Sequence, residues 1–78
     1  MPSTYKLVTL VGTSNDSFTD AVSRAIKDAS RTVRGISWFQ VDELRGRVVG
    51  GKVDEYQVTM RAGFKVEATQ SGGKRPRK

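Results

Sequence analysis

The chain contains no cysteine and no histidine, and aromatic residues make up only 8% of its 78 residues. Without cysteine, it forms no disulfide, no thiolate metal site and no cysteine nucleophile. Without histidine, imidazole metal ligation, a Ser-His-Asp mechanism and the usual general base near neutral pH are excluded. We therefore expect no catalytic residue, no metal site and no enzymatic activity.

Long apolar runs are also missing. No segment approaches the ~20 apolar residues that a membrane-spanning helix needs. Residues 1–6 lack the basic-then-apolar layout of a signal peptide. The sequence therefore predicts a cytoplasmic protein with no membrane partner. We also expect self-association, because so short a chain without disulfides or metals has a marginal core.

Positive charge is concentrated at the C terminus. The chain has 14 Lys and Arg against 8 Asp and Glu, a net charge of +6. Four of these cations lie in the last five residues: Lys74, Arg75, Arg77 and Lys78. Without them the remaining chain carries only +2. We therefore expect one folded domain over residues 1–68 and a flexible basic tail over 69–78, with only non-specific attraction to phosphates.

The periodicity of apolar residues predicts a β-α-β-β order. A first strand covers residues 5–12. A helix follows, in which Ser17 and Asp20 resemble a capping box and Gly35 is a natural stop. Its apolar face consists of Phe18, Val22, Ile26, Ala29 and Val33. Two more strands, at 36–48 and 53–67, flank a turn at Gly50-Gly51.

Strict alternation in the last strand predicts which sheet face the helix covers. The apolar face of that strand carries Tyr56, Val58, Met60, Ala62, Phe64 and Val66. Pairing about the glycine turn then adds Phe39–Ala62 and Val41–Met60 to this face, and Trp38–Gly63, Gln40–Arg61 and Asp42–Thr59 to the other. On the other face, an indole near the amide of Gln57 suits a flat ligand with polar edges. A subunit interface at Trp38 is the alternative.

Five short strings in a fixed order and spacing carry a family resemblance. They are residues 11–14 (VGTS), 38–41 (WFQV), 45–46 (RG), 56–60 (YQVTM) and 63–66 (GFKV). From about residue 5 to 67, the chain resembles a dodecin, a small flavin-binding protein that assembles as a hollow dodecamer. The resemblance implies an α+β fold with a three-stranded antiparallel sheet wrapped around one helix. It also implies a homododecamer that stores flavin and protects it from light without catalysis, with FMN as ligand and riboflavin or FAD as alternatives.

The resemblance further implies which residues contact the flavin. Flavins would bind in pairs at twofold axes, stacked between Trp38 side chains of neighbouring subunits. Gln57 would hydrogen-bond the polar edge of the ring, and Arg45 would contact the ribityl-phosphate side. Strict alternation, however, places Arg45 with the apolar set, so this role needs a bulge near Gly46 or a contact across subunits.

Some bacterial dodecins also hold coenzyme A on their outer surface. The positions that would match are Lys6, Asp28, Thr32, Arg34, Lys65 and Glu67. The alternative for these charges is an ordinary solvated surface with modest ion pairs.

Two other classes of function compete with flavin storage. The isoelectric point near 10.2 suggests a small basic nucleic-acid-binding module, but the near-neutral body lacks the several aromatic residues that base stacking needs. An enzyme is disfavoured because Asp42-Glu43 and Asp54-Glu55 are neighbours in strands, so their carboxylates point to opposite faces. We expect no specific nucleic-acid partner.

Overall fold

The computed structural model describes residues 3–66 and confirms the predicted β-α-β-β order. Its elements are β1 (Tyr5–Ser14), α1 (Phe18–Ala29), β2 (Ile36–Val49) and β3 (Lys52–Lys65). The strands form one antiparallel sheet in the order β1-β3-β2, so β3 is the central strand. The predicted domain boundary at residue 68 and the basic tail at 69–78 lie outside the described residues.

The start of α1 is held by a network around a buried serine. The Ser17 hydroxyl accepts the backbone N–H of Asp20 (2.9 Å), as the predicted cap requires. The Asp20 carboxylate instead accepts the Ser14 hydroxyl (2.6 Å) and Arg24 Nε (2.6 Å). Ser14 Oγ in turn accepts the backbone N–H groups of Asp16 (2.9 Å) and Ser17 (3.3 Å). Ser14 therefore joins the end of β1 to the first turn of the helix.

The helix ends earlier than its apolar periodicity predicts. It stops at Ala29, and the backbone N–H groups of Thr32 and Val33 both donate to the Ala29 carbonyl oxygen (3.1 and 2.9 Å). Serine and β-branched residues in this segment are weaker helix formers than the alanines before them. Val33 and Gly35 consequently lie beyond the helix. No helix within residues 3–66 has the length and apolar content to span a membrane.

The core lies between α1 and the two strands beneath it. Its fully buried members are Ala21, Val58, Met60 and Ala62, with Leu10, Val22, Ala25 and Ile26 packed against them. The helix approaches β1 closely at Gly12, where a Cβ would overlap the Ala21 carbonyl oxygen and lie 2.8 Å from the Ala25 Cβ. Small residues on both elements therefore permit the packing.

The helix covers less of the apolar face than the sequence predicts. A 12-residue helix is about 18 Å long, whereas each 14-residue strand of the hairpin extends about 46 Å. The helix packs on β1 and β3. Phe39, Val41 and Leu44 of β2 share this face but remain 47%, 41% and 55% exposed. The single chain therefore exposes a patch of large apolar side chains on β2, beside the helix.

The network at the helix start predicts acid sensitivity. The hydrogen bond from Ser14, reinforced by that from Arg24, lowers the pKa of Asp20 below its ordinary value. Its stabilising contribution is present above the pKa of an unfolded aspartate (about 3.9) and is lost as pH falls through the lower folded value. We expect Asp20→Asn to lower the melting temperature at pH 7 and to flatten its pH dependence below pH ~4.

The matched control is Asp28→Asn, which removes the same charge from the same helix. Asp28 makes only a loose contact with Arg31 (3.9 Å). Melting temperatures of both variants, measured at one protein concentration between pH 3 and 7, test the prediction. Equal losses in the two variants at every pH would contradict the role of the cap network.

Candidate functional site

The sheet face opposite α1 gathers polar side chains and the single tryptophan. This open face carries Trp38, Gln40, Glu43 and Arg45 from β2, and Gly63, Arg61, Thr59 and Gln57 from β3. The predicted pairs Trp38–Gly63 and Gln40–Arg61 on this face are confirmed, as are Phe39–Ala62 and Val41–Met60 on the other. The predicted pair Asp42–Thr59 is wrong.

A β-bulge explains that error and corrects the placement of Arg45. Val41 pairs with Met60, but the next pair is Glu43–Thr59, so Asp42 is an extra residue in β2. The extra residue reverses the alternation of the strand beyond it. Arg45 therefore lies opposite Gln57 on the open face, and its expected place with the apolar set is wrong. The bulge that achieves this lies at Asp42 rather than near Gly46.

The bulge residue is held by an ion pair across the sheet. Arg61 binds the Asp42 carboxylate with two hydrogen bonds, from Nε (2.9 Å) and Nη2 (3.1 Å), and Gln40 Nε2 donates to the same carboxylate (3.3 Å). The hydrogen bond to Asp42 raises the pKa of Arg61. Because this pairing neutralises Arg61 locally, it contributes little to binding an anion on this face.

Trp38 is seated against the backbone of β3. Its six-membered ring occupies the space that a Cβ at Gly63 would take. The ring also makes an edge contact with Tyr5 of β1, with ring centroids 5.0 Å apart and planes inclined by 62°. Trp38 nevertheless stays 42% exposed. One side of the indole thus rests on the sheet, and the other is available for stacking.

Gln57 and Arg45 form a second group at the other end of the open face. Gln57 Nε2 donates to Glu55 Oε1 (2.9 Å), which leaves one amide N–H and the carbonyl oxygen for a ligand. Arg45 lies 3.9 Å from Glu43 with its side chain 64% exposed. Gly63 lies six positions after Gln57 in β3, which corresponds to about 20 Å. Trp38 and this group therefore occupy separate parts of the open face.

Four of the six residues expected for coenzyme A line one pocket. This cationic pocket has a volume of about 400 Å³ and is lined by Lys6, Thr32, Arg34 and Lys65 together with Val33, Phe64 and Val66. It lies where the segment after α1 meets the start of β1 and the end of β3. Asp28 lines a different groove, of about 660 Å³, between α1 and β1. Glu67 lies outside the described residues.

The described residues, 3–66, offer no cluster of metal-binding side chains. Between residues 3 and 66, no three Asp, Glu, His or Cys side chains are grouped so that they could hold a metal ion.

Comparison with known proteins identifies the family. The dodecin family model matches residues 4–67. The chain belongs to the dodecin family. It is 42% identical to a dodecin of Thermus thermophilus over 69 residues, which cover 88% of this chain and 100% of that protein. Dodecins are small, oligomeric flavin-binding proteins, and they are not a family of catalysts.

Solved dodecin structures share the fold. The dodecin from Streptomyces davaonensis matches with a TM-score of 0.83 at 35% identity, covering 87% of this chain and 100% of that chain. The dodecin from Streptomyces coelicolor matches with a TM-score of 0.82 at 39% identity, covering 85% and 94%. The three-stranded antiparallel sheet with one helix is thus the dodecin architecture.

Sequence reasoning missed two features next to the predicted site residues. The sequence pattern places Tyr5 in the first strand. Nothing in its spacing indicates contact with Trp38, which is 33 positions away in the sequence. The bulge at Asp42 is one of three register shifts in β2, and the others lie between Ile36 and Trp38 and between Arg47 and Val48. The available signal was Arg45 itself, since an arginine assigned to an apolar face implies a shift in register.

Proposed function

We propose that this dodecin-family chain stores FMN and protects it from light-driven damage in a dodecameric assembly, without catalysing a reaction. The observation that carries the proposal is the indole of Trp38, which is seated on Gly63 and remains 42% exposed on the open face. A planar ring stacked on that surface gains contact area and is withdrawn from water. Membership of a flavin-binding family makes isoalloxazine the favoured ring.

The spacing of the open face favours a site shared between subunits. About 20 Å of β3 separate Trp38 from Gln57 and Arg45, and one isoalloxazine ring is much shorter than that. A twofold axis that turns one open face over another brings Trp38 of one subunit near Gln57 of its neighbour. We therefore assign stacking to one subunit and the polar contacts to the other. The symmetric copy of this site would place a second flavin across the axis, so that flavins would bind in pairs.

Trp38 also offers a route for protection. When bound, the flavin supplies an excited state that accepts an electron readily. The electron-rich indole of Trp38 would be placed to donate an electron to the stacked flavin and to receive it back, so that the excitation energy would be released as heat. Enclosure between subunits keeps oxygen and other reactants away from the ring during this cycle.

Arg45 supports FMN in preference to riboflavin. Its guanidinium lies opposite Gln57 and is only loosely engaged by Glu43 at 3.9 Å. Arginine binds phosphate oxygens with strong, charge-assisted hydrogen bonds. A phosphate at the end of the ribityl chain would find this side chain on the open face, whereas riboflavin has no charged group to place there.

A mixing experiment tests both the stacking role of Trp38 and the shared site. We expect Trp38→Ala and Gln57→Ala assemblies each to lose most FMN binding, measured as quenching of flavin fluorescence during titration. Assemblies of both variants mixed at equal ratio should recover up to about a quarter of the wild-type sites, because a shared site is intact where a Trp38 side chain meets an intact Gln57.

The control for this experiment is Lys52→Ala, which removes an exposed side chain beside the hairpin turn, away from both Trp38 and Gln57. We expect it to bind FMN nearly as the wild type does. Size-exclusion chromatography establishes that every variant still assembles. Unchanged affinity in Trp38→Ala would refute stacking, and mixed assemblies with no recovery would refute the shared site.

The preference for FMN provides a second test. We expect Arg45→Ala to weaken FMN binding about tenfold and to leave riboflavin binding nearly unchanged. The matched control is Arg47→Ala, since Arg47 is already paired with Asp54 at 3.0 Å. Parallel titrations with the two flavins measure the difference. Equal loss of both flavins in Arg45→Ala would argue against phosphate recognition by this residue.

The cationic pocket favours coenzyme A as a second ligand. Lys6, Arg34 and Lys65 supply charge for phosphate groups, while Phe64 and Val66 supply apolar surface for the rest of the molecule. A mixed lining of this kind suits a ligand that has both features. Lys6 and Phe64 are paired on the helix side of the sheet, whereas Lys65 lies opposite Tyr5 of the open face. We therefore propose that coenzyme A and FMN bind at neighbouring but separate sites.

Coenzyme A binding is tested by removing the charges of the pocket. We expect Arg34→Ala and Lys65→Ala each to weaken coenzyme A binding several-fold in calorimetry and to make the remaining binding less sensitive to salt, because less charge attraction is left to be screened. FMN binding should not change in Arg34→Ala, because Arg34 belongs to the segment after α1 and not to the open face. Lys27→Ala removes a cation of α1 outside this pocket and is expected to have no effect. An equal loss with Lys27→Ala would indicate general charge attraction.

A further inference from the structure

Two aromatic side chains from opposite edges of the sheet meet on the open face. Tyr5 belongs to β1 and Trp38 to β2, and β3 runs between them. The backbones of the outer strands are therefore about 9.6 Å apart, yet the ring centroids are separated by only 5.0 Å. The rings meet because Gly63, the residue of β3 opposite Trp38, has no side chain to stand between them.

Tyr5 is itself held on a regular part of the sheet. It pairs with Lys65 at the end of the β1–β3 ladder. Beyond it, the backbone N–H of Val66 donates to the Thr4 carbonyl oxygen (2.9 Å). The tyrosine ring therefore projects from a backbone that is hydrogen-bonded on both sides of the contact, as a positioning side chain requires.

We infer that Tyr5 is a positioning residue for flavin stacking, which fixes the indole of Trp38 over Gly63 before the ligand arrives; this inference rests on the proposed FMN function. Gly63 provides the seat, but a 42%-exposed indole has other rotamers that point into solvent. The edge contact with Tyr5 favours the seated rotamer, because inclined aromatic rings attract each other. Preorganising the indole reduces the conformational entropy lost when a flavin binds.

The contact also shapes the surface that a flavin meets. The planes of the two rings are inclined by 62°, so the Tyr5 ring borders the stacking surface of Trp38 at an angle and does not extend it. Tyr5 remains 44% exposed, so it is not buried by the chain itself. A ring stacked on Trp38 is thereby limited in how far it slides toward β1.

The test compares two substitutions of Tyr5. Tyr5→Phe keeps the aromatic edge and loses only the hydroxyl, whereas Tyr5→Leu keeps an apolar side chain but loses the ring. We expect Tyr5→Leu to weaken FMN binding about 2- to 10-fold and Tyr5→Phe to bind FMN as the wild type does. Rescue by phenylalanine separates positioning of the indole from a hydrogen bond made by the hydroxyl.

A measurement without ligand separates this inference from the proposed function. Because the chain has a single tryptophan, the long-wavelength bands of its near-ultraviolet circular dichroism, where tyrosine does not absorb, report how rigidly that indole is held. We expect this signal to fall in unliganded Tyr5→Leu and to persist in Tyr5→Phe. If wild-type assemblies bind no flavin, the proposed function fails, and the dichroism still decides whether Tyr5 holds Trp38.

The Phe18–Tyr56 contact provides a matched control. These rings also lie 5.0 Å apart, with planes inclined by 72°, at the start of α1. We expect Tyr56→Leu to lower the melting temperature without changing the affinity of the folded assembly for FMN. The inference is overturned if Tyr5→Leu leaves both the tryptophan signal and FMN affinity unchanged, if Tyr5→Phe loses as much as Tyr5→Leu, or if Tyr56→Leu weakens FMN binding equally.

Discussion

The mismatch in length between one short helix and a long hairpin governs this molecule. A helix of about 18 Å cannot cover strands of about 46 Å, so the buried core is confined to α1, β1 and β3. The apolar residues of β2, including Phe39 and Leu44, stay exposed on the helix side. Such a surface favours association between chains. Oligomerisation in the dodecin family therefore follows from the same constraint that limits the core of the single chain.

The bulge at Asp42 has consequences beyond one irregular pair. It reverses the alternation of β2, which carries Leu44 to the helix side and Arg45 to the open face opposite Gln57. The Asp42–Arg61 ion pair anchors the extra residue across the sheet and leaves Arg45 as the loosely paired cation there. Electrostatics and strand register thus act together, since the carboxylate that stabilises the bulge also neutralises the competing arginine.

The open face carries two separate groups of side chains, Trp38 with Tyr5 and Gln57 with Arg45. One is aromatic and depends on the missing side chain of Gly63; the other is polar and depends on the bulge. On the proposed function, their separation along β3 means that a single chain would carry both parts of a flavin site without completing it, which would connect ligand binding to assembly. The cationic pocket gathers three cations beside apolar surface, and it meets the open face at Lys65, which pairs with Tyr5.

The sequence by itself determined the elements and the two faces of the central strand. Three local features show this: the alternation from Tyr56 to Phe64, the Gly50-Gly51 turn with both φ angles positive (59° and 76°), and the Ser17 cap. Each depends on residues that are close together in the sequence, so each can be predicted from it. Only the tertiary structure decided the position of Arg45 and the meeting of Tyr5 with Trp38. These depend on pairing between distant strands, where one extra residue or one absent side chain changes which groups share a face.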